Sequence, residues 1–165
     1  MKVTHIPFKS TGFFSKTMLD YLEQKTTITP FFNNFPDISG FHNQIEEKQK
    51  SFRLQNRLVL VDALVLQYES TKQEYLIDRN KNPIDLEKTL KNIDILKQQN
   101  TFTVTTGHQL NLFTGPLYFL YKILSTINLC EELSEKFPKK NFVPIYWMAT
   151  EDHDFDEINY FNFEG

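Results

Sequence analysis

A single cysteine, Cys130, is all the thiol this chain carries, which excludes an intrachain disulfide and fits a reducing compartment. No sustained apolar segment follows Met1-Lys2, where Val3-Thr4-His5-Ile6-Pro7 stands instead of a signal sequence, so a cytoplasmic protein is expected. Long hydrophobic runs are also missing. The longest, Leu58 to Leu66, is broken by Asp62 and falls short of the ~20 residues a bilayer requires, so no membrane segment is expected. Positive charge is not in excess: the formal net charge is -3, which removes the electrostatic basis of nucleic-acid binding. The glycine spacings of a Walker A loop and of a dinucleotide-binding fingerprint are absent, as is a helical H-x-x-x-H pair. A protein-ligated metal is therefore not expected. Repeats and low-complexity tracts are absent as well.

What is present is an ordinary globular composition, 40% hydrophobic over 165 residues. A chain of this length can bury roughly 70% of the surface its unfolded form exposes, enough for a real core. Residues 1–100 read as a mainly helical region packing on that core. Apolar residues at helical spacing mark 13–24 (Phe13, Phe14, Met18, Leu19, Tyr21, Leu22), ended by Thr29-Pro30, and further helices are expected at 41–50 and 52–69. In the second of these, Leu54, Leu58, Val61, Leu64, Val65 and Tyr68 form one stripe. Residues 30–40 read as a loop whose Phe31, Phe32 and Phe35 pin it to the core. Asn82-Pro83 breaks the chain, and Pro83-Ile84-Asp85-Leu86-Glu87 has the form of a helix start, with Leu86, Leu90, Ile93 and Leu96 continuing its apolar face.

From residue 102 the pattern changes, and residues 101–165 read as the first β-α-β part of an α/β core. Phe102-Thr103-Val104-Thr105-Thr106 has the β-branched and aromatic content of a strand, closed by Gly107. Residues 117–136 are apolar on more than one side, as in a helix buried against a sheet and other helices. Its Cys130 shares a stripe with Thr126, Ile123 and Phe119, the setting of a core thiol rather than a nucleophile. Phe142 to Ala149 is a near-continuous apolar run of strand length, the signature of a strand covered on both faces. Ile158 to Phe163 alternates and suggests a third strand.

Two polar segments sit at the ends of the paired strand-like runs, where open α/β sheets place ligands. The first is Thr106-Gly107-His108-Gln109-Leu110-Asn111-Leu112-Phe113-Thr114-Gly115-Pro116-Leu117-Tyr118. Thr114-Gly115-Pro116 has the chemistry of a helix entrance: a hydroxyl that can cap, a glycine that permits close backbone approach, and a proline whose missing N–H is not needed. Such an end favours a phosphate or carboxylate by about 0.3–1 kcal/mol, with His108, Gln109 and Asn111 adding polar side chains. Lys122 lies about two turns into the helix. The second segment, Glu151-Asp152-His153-Asp154, can hold an ammonium, relay protons or ligate a metal. Punctuation between elements and a solvated acidic loop are the structural alternatives. His5 and His42 stand alone, in polar or turn contexts, and read as structural or surface residues.

At these two loops the sequence resembles the bacillithiol-biosynthesis cysteine-adding enzymes, a family of cysteine ligases. The resemblance lies in Thr106-Gly107-His108-Gln109, Leu112 to Tyr118, Lys122, Pro144-Ile145-Tyr146-Trp147, Glu151 to Phe155 and Glu157-Ile158-Asn159, and extends more weakly to Asp20-Tyr21-Leu22 and Pro30-Phe31-Phe32. It implies the first part of a Rossmann-like parallel sheet, similar to nucleotidyltransferases and class I synthetases, preceded by a helical N-terminal region. It also implies a reaction joining L-cysteine to glucosaminyl malate, with ATP or ADP as the implied nucleotide. By the same resemblance Asp152, His153 and His108 are catalytic candidates. Thr106, Gly107, Gln109, Asn111, Thr114, Gly115, Pro116, Lys122, Glu151 and Asp154 are the candidates for binding substrate or nucleotide. Family members usually carry Gln where this chain has His108, and they run several times longer. The rest of the core and a coiled coil through which the full-length protein would dimerise are thus expected beyond Gly165, leaving an unpaired strand edge and exposed apolar faces here. A non-catalytic fragment that binds a nucleotide or a partner, and a metal-dependent hydrolase built on Glu151, Asp152 and His153, are the competing readings.

Overall fold

The computed structural model describes residues 4–76, 86–112, 115–152 and 155–162. They form two compact units, residues 1–48 and 49–165. The division expected at residue 100 marks a change from helix to strand rather than a gap in packing, because the helices of residues 54–95 group with the strands.

In the first unit a helical turn, α1 (Phe8–Thr11), precedes α2 (Lys16–Leu22). The latter begins at Lys16 rather than at Phe13 because the Ser15 hydroxyl caps the Met18 N–H at 3.2 Å. Tyr21 of α2 gathers Phe32 and Phe35 at ring separations of 5.1 and 5.2 Å, so two of the three loop aromatics do pin the segment. Phe31 does not: it is 82% exposed, within a short 3-10 turn over Thr29–Phe31. Helix α3 (Ile38–Ser51) starts earlier than the expected residue 41, since the Asp37 carboxylate accepts the Gly40 N–H at 2.7 Å and supplies the cap.

Asp20 is buried on α2 and accepts hydrogen bonds from Lys16 and Lys25, both at 2.5 Å. These bonds hold its carboxyl below the ordinary aspartate value of 3.8. A carboxylate whose pKa is depressed on folding stabilises the folded state above its unfolded pKa, and that contribution is lost as pH falls through the folded value. Asp20→Asn is therefore expected to flatten the acid side of the chain's unfolding profile, below about pH 4. Denaturant midpoints measured across that range check it; identical slopes for the two proteins would contradict it.

The second unit holds α4 (Leu54–Leu76), α5 (Leu86–Ile95), strand β1 (Thr101–His108), α6 (Leu117–Lys136), strand β2 (Asn141–Met148) and a final turn, α7 (Phe155–Ile158). The strands pair in parallel with Thr101 opposite Asn141 and His108 opposite Met148, joined by α6 as a crossover helix. Gly107 lies inside β1, opposite Trp147, and does not close it. Helix α6 uses Thr126, Cys130 and the 1%-exposed Leu133 to pack on one sheet face. On the other face Val61 of α4, Leu96 and Val143 form a buried cluster joined by Leu64, Ile93 and Ile145. The apolar run of β2 is explained by this double cover at Val143 to Ile145, and the cover stops before the exposed Tyr146, Trp147 and Met148.

Three other expectations change. On α4 Arg57 and Val61 are buried and Leu58, Leu64 and Tyr68 half-buried, while Leu54 and Val65 are exposed, so the covered stripe includes an arginine that apolar counting passes over. Helix α6 is covered on one side only, with Leu117, Leu120, Tyr121 and Leu124 exposed. Residues 158–162 are not a strand; Phe155–Ile158 turns helically and residues 159–162 are irregular. Among the described residues each strand has one partner, leaving one edge of each unpaired. The break at Asn82-Pro83 lies outside the described residues. Burial raises the Cys130 thiol to about 11, which keeps it protonated and matches a core role.

Candidate functional site

The parallel pairing carries the carboxyl ends of β1 and β2 to the same edge, and α6 begins beside them. Strand periodicity puts Val104, Thr106 and His108 on one face of β1, the face that α6 covers. His108 accordingly meets the first turn of α6: its ring lies 5.2 Å from Tyr118 and 6.1 Å from Phe119. Phe119 in turn stacks edge-on against Tyr146 of β2 at 5.6 Å. Thr106 lines a shallow pocket of about 180 Å³ between α6 and the strands, with Ile123, Thr126, Pro144 and Tyr146 among its apolar surroundings. That places it beneath the polar rim rather than on it.

The rim is a connected set of polar groups. Gln109 Nε2 donates to Asp152 Oδ2 at 3.3 Å, tying the loop after β1 to the loop after β2. The Asn111 amide donates to Gln109 O at 2.8 Å and lies 2.9 Å from His108 Nδ1. His108 Nε2 lies 2.6 Å from the Tyr118 hydroxyl. Lys122, two turns along α6, reaches back so that its ammonium donates to the Gly107 carbonyl at 2.5 Å. The Ala149 N–H donates to His108 O at 3.1 Å, continuing the strand pairing past Met148. Glu151 is engaged elsewhere, accepting from Trp147 Nε1 at 3.2 Å.

The helix entrance differs in detail from the expected one. Pro116 is the N-cap itself and α6 starts at Leu117, so proline occupies the position before the first helical residue and no side chain caps from it. Gly115 has φ +61°, and a Cβ there would lie 2.7 Å from Asn111 Cγ. Its left-handed backbone and the neighbouring Asn111 side chain both account for glycine at this position. Thr114, His153 and Asp154 lie outside the described residues. Among the described residues no three His, Cys, Asp or Glu side chains gather as a metal-ligand set, and no helix is long and apolar enough to cross a membrane.

The structure thus brings together His108, Gln109, Asn111, Gly115, Lys122 and Asp152, and sets Thr106 and Glu151 to the side. Sequence reading missed Tyr118 and Tyr146 as members of the set, since each is apolar enough to pass for packing. The available signal was the polar tip of a tyrosine at the first turn of the crossover helix.

A parallel strand-helix-strand unit with a polar rim at its carboxyl edge is the building unit of α/β domains, Rossmann-like ones among them. Over residues 1–165 the chain matches the family described as "Bacillithiol biosynthesis BshC, N-terminal Rossmann-like domain", and it belongs to that family. It is 52% identical over 160 residues to the "Putative cysteine ligase BshC" of Flavobacterium johnsoniae, an alignment covering 97% of this chain and 28% of the relative. Against the protein of the same name from Flavobacterium psychrophilum it is 54% identical over 161 residues, again 97% of this chain and 28% of the relative. A Bacillus cytotoxicus relative of that name is 34% identical over 141 residues, 86% of this chain and 23% of its own. The chain spans about a quarter of the length of these relatives.

Proposed function

We propose that this chain supplies the first wall of a cytoplasmic ligase site that joins L-cysteine to glucosaminyl malate. The single observation that carries the reading is the Gln109–Asp152 hydrogen bond, which joins the two loops bearing the family resemblance across adjacent strand ends. The names of the relatives support the reaction class.

Forming an amide from the cysteine carboxyl and the sugar amine requires an activated acyl group, an oriented amine and donors for the charge that develops on oxygen. Asp152 offers a carboxylate, held by Gln109, that orients the amine and accepts its proton. Tyr118, Asn111 and His108 line the adjacent rim with polar hydrogens. Lys122 and the first-turn N–H groups of α6 form a positively polarised corner beside Gly107. That donor set suits phosphate, so an adenine nucleotide, ATP or ADP, would be held there by Lys122 and Leu117–Tyr118. When bound as ATP it would supply the activation of the acyl group. His153 would share the amine with Asp152, and Thr114 and Asp154 would complete the binding set, roles that rest on sequence alone.

Asp152→Asn keeps the size of the side chain and its bond to Gln109 while removing the charge. In a full-length family protein carrying this domain, it is expected to lower turnover of cysteine and glucosaminyl malate at least 100-fold, the scale of a lost proton acceptor. Product thiol quantified by mass spectrometry is the readout, and unchanged turnover would sink the assignment.

A further inference from the structure

We propose that Trp147 and Glu151 form the subsite for an amino-sugar ring, the indole taking the ring's apolar C–H face and the carboxylate its polar edge. The inference rests on the ligase reading for the identity of the sugar, glucosaminyl malate, and gives a place to Glu151, which the rim leaves to the side.

Strand periodicity sets the position of the indole. Val143 and Ile145 of β2 join the cluster that α4 covers, and Trp147, next on the same face, lies past the end of that cover. It therefore stands on the side of the sheet away from α6, and it is 59% exposed. Its register partner on β1 is Gly107, so no side chain from that position crosses the indole. Tryptophan carries the largest apolar surface of any side chain, and leaving it in water at a strand end is unfavourable until a ligand covers it.

The ring is also held in place. Trp147 Nε1–H donates to Glu151 Oε1 at 3.2 Å, which fixes the ring plane and leaves less side-chain freedom to lose on binding. Glu151 is exposed, and among the described residues nothing donates to its Oε2. An aromatic face edged by a carboxylate suits a pyranose, which presents axial C–H groups on one face and hydroxyl donors around its rim. Charge selects among the rings that could stack there. Glu151 and Asp152 are successive carboxylates, which favour the ammonium of a hexosamine and repel the phosphates of a nucleotide, whose base could otherwise lie on the same indole. Lys122, the cation suited to phosphate, belongs to α6 on the other side of the sheet. Asp152 thus meets the amine, as the ligase reading requires, while Glu151 accepts from a ring hydroxyl.

Trp147 is the chain's only tryptophan, so its fluorescence reports this subsite alone. Titration of the 165-residue chain with glucosaminyl malate and with methyl α-D-glucosaminide is expected to give a saturable change, with half-saturation by the simple glycoside on the order of 1–10 mM. The N-acetylated glycoside lacks the ammonium and is expected to bind about fivefold more weakly, and ATP to give no saturable change. Glu151→Gln keeps an acceptor for the indole N–H but removes the charge, and is expected to weaken glycoside binding by about the same factor. In a full-length family protein, Trp147→Ala is expected to raise the KM for glucosaminyl malate about tenfold or more and the KM for cysteine less than about twofold, a split that a merely structural role would not produce. Fluorescence that responds to ATP and not to the glycosides would assign the indole to a base and overturn the sugar subsite. No response to any of these ligands, or equal rises in both KM values, would overturn it too. Glycoside binding by the chain without ligase turnover in the full-length protein would count against the reaction and not against the subsite.

Discussion

Gly107→Ala is expected to abolish the site while costing the fold comparatively little. A Cβ on residue 107 would stand 2.5 Å from the Trp147 carbonyl oxygen and 2.9 Å from the Trp147 Cβ, closer than atoms approach without one strand moving. Both obstacles belong to the backbone or its first side-chain atom, so no rotamer change relieves them. The strands must part at the point where Gly107 opposes Trp147, one residue before His108 opposite Met148. Overpacking of this kind costs about 1–3 kcal/mol of stability. The functional cost is larger, because His108, the Lys122 bond to Gly107 O and the Gln109 bond to Asp152 all hang on this end of the pairing. A displacement of about 1 Å at reacting groups can cost 100-fold in rate. On the proposed function, turnover in a full-length family protein carrying this domain should fall by at least that factor, with a fold still cooperative by circular dichroism. Near-native turnover would show that the strand ends do not set the site.

Arg57→Met is expected to have the opposite profile, a large loss of stability from a residue remote from the rim. Arg57 is 3% exposed, and its guanidinium donates to the carbonyls of Thr101 at 2.8 Å, Leu96 at 3.3 Å and Gln99 at 3.4 Å. Those carbonyls form the corner between the end of α5 and the start of β1, where helical carbonyls lack partners of their own. A cation there also faces the negative end of the helix. Its guanidinium further lies 4.8 Å from the Phe52 ring centre. Burial lowers the Arg57 pKa, but an arginine remains charged, so the bonds are charge-assisted. Methionine fills much of the volume and satisfies none of the carbonyls. Hydrogen bonds to charged groups contribute about 1.5–3 kcal/mol each, and the desolvation of the charge offsets part of their sum. A net loss of about 3 kcal/mol is expected in denaturant unfolding, with Arg57→Lys intermediate because one ammonium cannot span three carbonyls. A change below about 0.5 kcal/mol, the range of ordinary surface substitutions, would contradict the clamp.

These two residues mark what sequence reading could and could not see. The β-α-β unit was legible because each element announces itself: β-branched residues in β1, an apolar run in β2 and a 20-residue helix between them ended by Phe137-Pro138. The site region was legible for the same reason, since polar loops after parallel strands fall on one edge. Gly107 was visible but misread as a terminator, because a glycine inside a strand looks in sequence like a glycine after one. Arg57 was invisible, because a hydrophobic stripe is counted over apolar residues and its burial depends on carbonyls 39 to 44 positions away. Tyr118 lay within the segment singled out but was given no role, its partner His108 being ten residues off in another element. The alternation at 158–163 suggested a strand, but Phe155–Ile158 turns helically and residues 159–162 are irregular, joining neither open edge of the two-stranded sheet.

The central claim is that ligands meet this domain at the carboxyl ends of β1 and β2. Backbone amide NMR shifts of the chain, titrated with ATP and with glucosaminyl malate, test it most directly. The account expects the largest shifts at residues 107–111, 117–122 and 149–152. Shifts centred on the opposite ends of the strands, around Thr101 and Asn141, or confined to residues 4–48, would contradict it.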